Sequence, residues 1–296
     1  MPESITAVGV VGGGLMGSGI AQVAAQAGFR TTVREVSDAL CDKARRAIDR
    51  SLAKGVERGK VTAEERDAAL GRLAFTTDLG SLGASDLVIE AVVEDLAVKN
   101  ALWRELDPIC AGHAIFASNT SSLTIAAMAA VARPDRMVGL HFFNPVPVME
   151  LVEVVRAVTT SDETFARAVD FARRLGKRPI AAKDNSGFVV NLLLVPYMLD
   201  AVRALERGVG SVEDIDAGMV LGARHPMGPF TLLDFVGIDT VVRIAEIMFD
   251  EYREARYAPP PLLRRMVLAG MYGQKAGKGF FDYSVNPPAV NRALSV

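Results

Sequence analysis

Hydrophobic positions along this chain switch between the continuous runs of buried strands and the three-to-four spacing of amphipathic helices, and the switches mark out its elements. Residues 5–11, Ile-Thr-Ala-Val-Gly-Val-Val, form a buried-strand run. A glycine cluster comes next, then a helix over 18–27 stopped by Gly28, and a second strand at 31–35. Ser37 opens a long basic helix, and Thr62-Ala-Glu-Glu65 is a capping box opening another, so a helical hairpin is inserted before a short strand at 73–76. Further strands are expected within 86–94 and at 114–118, 137–140 and 151–155. Helices are expected over 95–109, just after Ser122, and over 161–175, and residues 177–182 read as an edge strand that tolerates its proline. Beyond 187 no strand pattern remains. Helices are expected at 188–206 (interrupted by Pro196), 212–221, 230–236, 239–252 and 261–269. Alternating strands and helices followed by helices alone predict an α/β domain over 1–185 and an all-α domain over 186–296.

Composition narrows the function classes. The 33 basic and 35 acidic side chains leave the net charge near zero, so neither a nucleic-acid nor a membrane surface is expected. Cys41 and Cys110 make no disulfide framework and read as reduced thiols in a cytoplasmic setting. No basic stretch leads an apolar core at the N-terminus, so no export signal is expected, and no apolar run approaches the roughly 18 residues of a membrane span. No metal-ligand spacing is visible. The helical domain is unusually apolar, and surplus apolar surface of that kind meets another subunit.

The first strand ends in Gly12-Gly-Gly14-Leu-Met-Gly17 and a helix follows at once. Gly12 permits the tight turn, Gly14 lets backbone approach a pyrophosphate, and Gly17 lets the helix lie close to the strand; Leu15 and Met16 sit between them where the helix offers its N–H groups. Glu35 follows at the end of the second strand, where a carboxylate binds adenosine ribose hydroxyls. Together these specify a dinucleotide-binding, Rossmann-type α/β domain. A carboxylate at that place repels the 2′-phosphate of NADP, so the expected cofactor is NAD; Arg34 is the one neighbour that argues the other way, unless it is a solvated strand-end arginine.

The richest chemistry lies in residues 141–153, which begin at one of three histidines and end with Glu153 inside an apolar run. A buried carboxylate needs a partner. A turn through Pro145 and Pro147 would return Glu153 to His141, giving an imidazole held in one tautomer, as a general base requires. The alternative is a packed histidine and a surface glutamate on an edge strand. Asn119-Thr-Ser-Ser122 stands at a strand-to-helix junction, where it either caps the helix or lines a polar site. Glu90 and Glu94 fall near the ligand edge of their strand. The basic hairpin suits a phosphorylated substrate tail or a solvated charged face.

The stretches 12–22, 118–123, 141–149, 183–191, 226–230 and 275–280 resemble the NAD-dependent L-3-hydroxyacyl-CoA dehydrogenases, in order and over essentially the whole chain. The likeness is to the short monofunctional branch, 3-hydroxybutyryl-CoA dehydrogenase-like, and it implies an N-terminal NAD-binding domain and a C-terminal helical domain that forms a homodimer and helps bind an acyl-CoA substrate. It implies His141 as catalytic acid/base and Glu153 as its orienting partner. Ser121 and Asn191 would bind the substrate C3 oxygen or fix the nicotinamide. Glu94, Lys99, Asn144 and Lys275 would contact NAD, and Ser51 and Arg58 coenzyme A. Glu35 replaces a commoner aspartate, Arg58 a commoner lysine, Ser186 a common proline and Leu192 a common arginine. Three other readings compete. One is a dicarboxylyl substrate such as 3-hydroxyadipyl-CoA, with Arg224 and His225 as cations for its far end. Another is a non-CoA hydroxy acid, and the last a dinucleotide-binding protein without activity.

Overall fold

The computed structural model describes residues 5–294. The chain divides into two compact units, Met1–Phe188 and Val189–Val296.

The first unit is built on an eight-stranded sheet. Its elements are β1 (Ala7–Val11), α1 (Leu15–Gln26), β2 (Arg30–Arg34), α2 (Asp38–Glu57), α3 (Ala63–Gly71), β3 (Leu73–Thr76), β4 (Leu87–Glu90), α4 (Leu96–Leu106), β5 (Ile115–Ser118), α5 (Ile125–Ala129), β6 (Met137–Phe142), β7 (Leu151–Arg156), α6 (Asp162–Arg174) and β8 (Arg178–Lys183). The strand order is β3-β2-β1-β4-β5-β6-β7-β8. The first six strands are parallel, β7 runs antiparallel to β6, and β8 is parallel to β7. Central strands buried on both faces are mostly apolar, and β4 to β6 are apolar except for Glu90, Ser118 and His141 at or near their C-terminal ends. One face packs Ile20, Ile48 and Phe171 from α1, α2 and α6; the other packs Trp103 and Met128 from α4 and α5. The expected capping box at α3 is present, with Thr62 and Glu65 satisfying each other's backbone N–H groups. Strand order reverses between β1 and β4, which opens a crevice at their C-terminal ends.

The second unit comprises α7 (Val190–Glu206), α8 (Val212–Ala217), α9 (Pro229–Val236), α10 (Ile238–Tyr252) and α11 (Pro261–Leu268). It also carries a two-stranded ladder, β9 (Phe281–Asp282) with β10 (Ala289–Val290), which hydropathy could not reveal because each strand is two residues long. The helix expected from 188 starts at Val190, since Phe188 has a left-handed φ of 51° that no helix continues through. The helix expected to run to 221 gives way after Ala217 to a π-helical turn, Gly218–Gly222.

Two buried aspartates tie this unit together. Asp216 accepts the N–H groups of Phe230 and Thr231 at the start of α9, and a Cβ on Gly228 would fall 2.2 Å from its carboxyl carbon. Asp234 accepts the N–H groups of Phe280 and Phe281 and the Tyr283 hydroxyl, fastening β9 to α9. Burial pushes the carboxyl of Asp234 above its ordinary range despite these bonds, and burial with the adjacent Asp234 charge pushes the Tyr283 phenol up as well.

Candidate active site

The glycine turn between β1 and α1 is shaped by contacts that leave no room for side chains. Gly12 has φ of 93°, and a Cβ there would meet the Ala91 carbonyl oxygen at 2.7 Å. A Cβ on Gly17 would sit 1.7 Å from the Gly12 carbonyl oxygen, so only glycine lets α1 cross the strand end this closely. Gly14 is the N-cap of α1; nothing lies within 4 Å of where its Cβ would be, no side chain caps the helix, and its first turn carries no acid. That leaves open backbone N–H groups and the positive end of the helix dipole, the chemistry a pyrophosphate requires. Glu35 accepts the Gly13 N–H at 2.6 Å and the Val36 N–H at 3.1 Å, which holds its carboxylate beside the turn. A cleft of about 420 Å³ is walled by this turn, Glu35, the α2 residues Leu40, Lys43 and Ser51, and Asn144 to Pro147. These residues fit NAD. Arg34 donates instead to the Thr77 carbonyl. Arg58 stands exposed at the C-cap of α2.

His141 and Glu153 are brought together by strand register. β6 and β7 pair antiparallel with His141 opposite Glu153, and Nδ1 of the imidazole lies 2.6 Å from a carboxylate oxygen. His141 is 6% exposed and Glu153 wholly buried. An ionised carboxylate only accepts, so Nδ1 carries the proton and Nε2 the lone pair. The ring is flanked by Phe143, with centroids 4.5 Å apart, and by Phe188 at 5.6 Å. The alternative of a surface glutamate is excluded by this geometry. The part played by the two phenylalanines was not read from the sequence; for Phe188 the only signal is the glycine before it.

Ser121 stands at the end of a chain of polar contacts that starts inside the sheet. Glu90, wholly buried, accepts the Lys99 ammonium at 2.6 Å, the Ser118 hydroxyl at 2.6 Å and the Val92 N–H at 2.8 Å. Lys99 also lies 3.2 Å from Glu94. Glu94 in turn accepts the Thr120 hydroxyl at 2.5 Å, the Ser121 N–H at 3.0 Å and the Ser122 hydroxyl at 3.2 Å. Burial opposes the charge of Glu94, but Lys99 and these donors outweigh it and hold the carboxyl below its ordinary range. At 1% exposure the Lys99 ammonium is enclosed by two carboxylates, and Glu94 is the member that reaches the surface.

The 119–122 segment does not supply the cap of α5. Asn119 accepts the Phe142 N–H beside His141, which joins the Ser121 loop to the His141 strand. The cap of α5 comes instead from Asp184, whose carboxylate takes the Ile125 and Ala126 N–H groups. Ser186 donates to the Ser122 carbonyl at 2.7 Å. Neither contact is readable from local pattern, because each spans about 60 residues of sequence.

Asn191 and Lys275 belong to the second unit. Asn191 lies in the first turn of α7. The Lys275 ammonium is 2.6 Å from Asp239. Arg224 is exposed with a left-handed φ of 57°, and the His225 Nδ1 lies 3.1 Å from the Tyr197 hydroxyl. Among the described residues no group of three or more His, Cys, Asp or Glu is placed to hold a metal, and no helix is long and apolar enough to cross a membrane.

Comparison with known proteins agrees with this geometry. The family models described as 3-hydroxyacyl-CoA dehydrogenase, NAD binding domain, and 3-hydroxyacyl-CoA dehydrogenase, C-terminal domain, match residues 7–185 and 187–283. A 3-hydroxybutyryl-CoA dehydrogenase of Mycobacterium tuberculosis is 53% identical over 286 residues, 96% of this chain and 100% of the relative. The human mitochondrial hydroxyacyl-coenzyme A dehydrogenase is 47% identical, over 93% of this chain and 90% of that one. The solved (S)-3-hydroxybutyryl-CoA dehydrogenase PaaH1 of Ralstonia eutropha superposes with a TM-score of 0.92 at 42% identity, covering 95% of this chain and 100% of that one.

Proposed function

The chain belongs to the 3-hydroxyacyl-CoA dehydrogenase family, and on that premise we propose that it interconverts short (S)-3-hydroxyacyl-CoA and 3-oxoacyl-CoA thioesters with NAD, 3-hydroxybutyryl-CoA and acetoacetyl-CoA being its natural pair. One observation carries the chemistry: an imidazole locked on a buried carboxylate at the ligand edge of the sheet.

In the oxidative direction His141 Nε2 takes the C3 hydroxyl proton, and Glu153 stabilises the imidazolium that forms. Bound NAD supplies the hydride acceptor. In the reductive direction the imidazolium returns its proton to the C3 oxygen. Ser121, oriented through Glu94, donates to that oxygen, and Asn191 supplies the second polar contact. The glycine turn binds the pyrophosphate and Glu35 the adenosine ribose; Glu94, Asn144 and Lys275 complete the NAD contacts, with Lys99 acting through Glu94. Ser51 and Arg58 on α2 contact coenzyme A.

The helical unit, residues 186–296 in the sequence division, carries the homodimer contact in this reading. Exposed Leu193, Leu221 and Leu268 support that placement. Two buried free cysteines suit a cytoplasmic enzyme.

The test is NADH oxidation with acetoacetyl-CoA, repeated with NADPH and with 3-oxoadipyl-CoA. Fast turnover with acetoacetyl-CoA and NADH is expected. A large preference for 3-oxoadipyl-CoA would move the substrate to a dicarboxylyl thioester, and activity with neither would sink the short-chain reading.

A further inference from the structure

The segment that joins β6 to β7 carries one wall of the cofactor cleft, and a lysine that the proton chemistry does not use holds it from behind. Residues 143–150 leave the sheet after Phe142 and rejoin it at Leu151. Asn144 to Pro147 wall the cleft together with the glycine turn. Within the segment the Val148 and Met149 N–H groups both donate to the Pro145 carbonyl at 2.9 Å. The Val146 and Met149 carbonyls are satisfied from outside it: the Lys177 ammonium donates to them at 2.6 and 2.8 Å.

Lys177 reaches this turn because Gly176, with φ of 73°, ends α6 and reverses the chain. The next residue, Arg178, donates its N–H to the Glu150 carbonyl at 2.8 Å and starts β8. An ammonium offers three donors and no acceptor, and charged donors make hydrogen bonds about twice as strong as neutral ones. Burial pushes the Lys177 amine below its ordinary range, opposed by the Glu150 carboxylate, so the clasp is kept at a cost.

On its other side the turn rests on α1. Val146 is 2% exposed, and a Cβ on Gly19 would fall 2.8 Å from the Val146 Cβ. The turn is therefore wedged between a glycine of the helix that receives the pyrophosphate and the ammonium of Lys177. His141 and Glu153 are held differently, by the β6–β7 ladder that pairs Gly139 to Phe142 with Val155 to Val152. Loosening the turn acts on the cleft and leaves the acid–base pair in register.

We propose that Lys177 is a positioning residue of the cofactor cleft: by clasping two carbonyls of the β6–β7 turn it keeps Val146 seated on Gly19, so that the Asn144–Pro147 wall is formed before the dinucleotide arrives. The inference rests on the NAD reading above and adds a residue that the reading does not require. Lys177 touches neither cofactor nor substrate; it acts through the turn.

The experiment is calorimetric titration of the full chain with NADH for wild type, Lys177→Met, Gly19→Ala and the double variant, with turnover of acetoacetyl-CoA measured alongside. Lys177→Met keeps the stem and removes the donors. It should raise the NADH dissociation constant on the order of tenfold, as when the seated turn falls to about a tenth of the molecules, and should move turnover at saturating NADH less than about threefold. Gly19→Ala pushes the same turn away from α1 and should also weaken NADH. Because both changes act on one turn, the double variant should bind within about threefold of Lys177→Met, short of the product of the two effects. A lysine that only stabilised the fold would lower the melting temperature, leave the constant of the folded protein alone and combine multiplicatively. An unchanged constant in either single variant, or a double variant at the full product, would overturn the proposal. If Lys177→Met does not fold, hydrogen exchange of cofactor-free wild type decides. The Val148 and Met149 N–H groups should be protected before NADH is added, and protection that arises only with NADH is equally fatal. Wild type that binds no NADH would instead overturn the NAD reading.

Discussion

Glu90 and Glu153 in the sheet unit and Asp216 and Asp234 in the helical unit are all nearly free of solvent, yet they are satisfied in opposite ways. The glutamates sit against side chains that can gain, lose or carry charge, Lys99 and His141. The aspartates sit against backbone N–H groups and hydroxyls. A backbone N–H cannot change its protonation, so the aspartates can only hold segments in place. An imidazole on a carboxylate can pass a proton on. Burial is the same in both units; the partner decides whether a buried charge serves chemistry or architecture.

The sharpest way to break this contrast is to remove the responsive partner. His141→Gln is expected to lower turnover by about 10²- to 10⁴-fold, the usual size of an acid–base contribution, with NAD affinity unchanged by calorimetry. Turnover near wild type would end the assignment. Glu153→Gln keeps the shape but no longer stabilises the imidazolium. It should cost less, on the order of tenfold to a hundredfold in turnover, and should alter the pH–rate profile; an unaltered profile would reduce Glu153 to a packing residue. Asp234→Asn turns an NH₂ group toward backbone donors. A loss of about 1–3 kcal/mol in urea unfolding is expected, with turnover at saturating cofactor preserved. A fall in turnover without a fall in stability would erase the contrast from the other side.

The smallest effects are in acid, and they have opposite signs. Glu94 titrates below its ordinary value when folded, so its contribution is present above the unfolded carboxyl pKa of about 4.3 and is lost as pH falls through the folded one. The stability gap between wild type and Glu94→Gln should therefore shrink on acidification. Asp234 titrates above its ordinary value, so the cost of its charge is full above the folded pKa and is relieved as pH falls through it. Its gap to Asp234→Asn should move in favour of wild type over that range. Unfolding measured at pH 7 and in mild acid separates the two slopes.

The same contrast explains what could be read in advance. The strands around Glu153 and the glycine turn declare themselves because a charge or a glycine cluster interrupts an apolar run, and period and interruption are both local. His141 and Glu153 could be paired on paper because a short turn separates them. Asp234 and its partners at Phe280 and Phe281 lie 46 and 47 positions apart, and the donors are backbone atoms that any residue supplies. Asp184 capping α5 is hidden for the same reason. Phe188 beside His141 could not be foreseen, since its place depends on a backbone angle that phenylalanine rarely adopts. The enclosure of Lys99 was invisible because a lysine on an amphipathic helix reads as solvated until its neighbours on the sheet are known.

The cross-strand position of the His141–Glu153 pair has one more consequence. Side chains alternate faces along a strand, so whether Glu153 meets His141 depends on the parity of the β6–β7 alignment. Slipping β7 by a single residue would put Val152 or Val154 opposite the imidazole, turn Glu153 to the other side of the sheet, and tear both valines from the core they fill. The proton-transfer geometry is thus stored as a whole number. Intermediate alignments do not exist to be populated, and the one-step error is rejected by the same apolar packing that holds the sheet together.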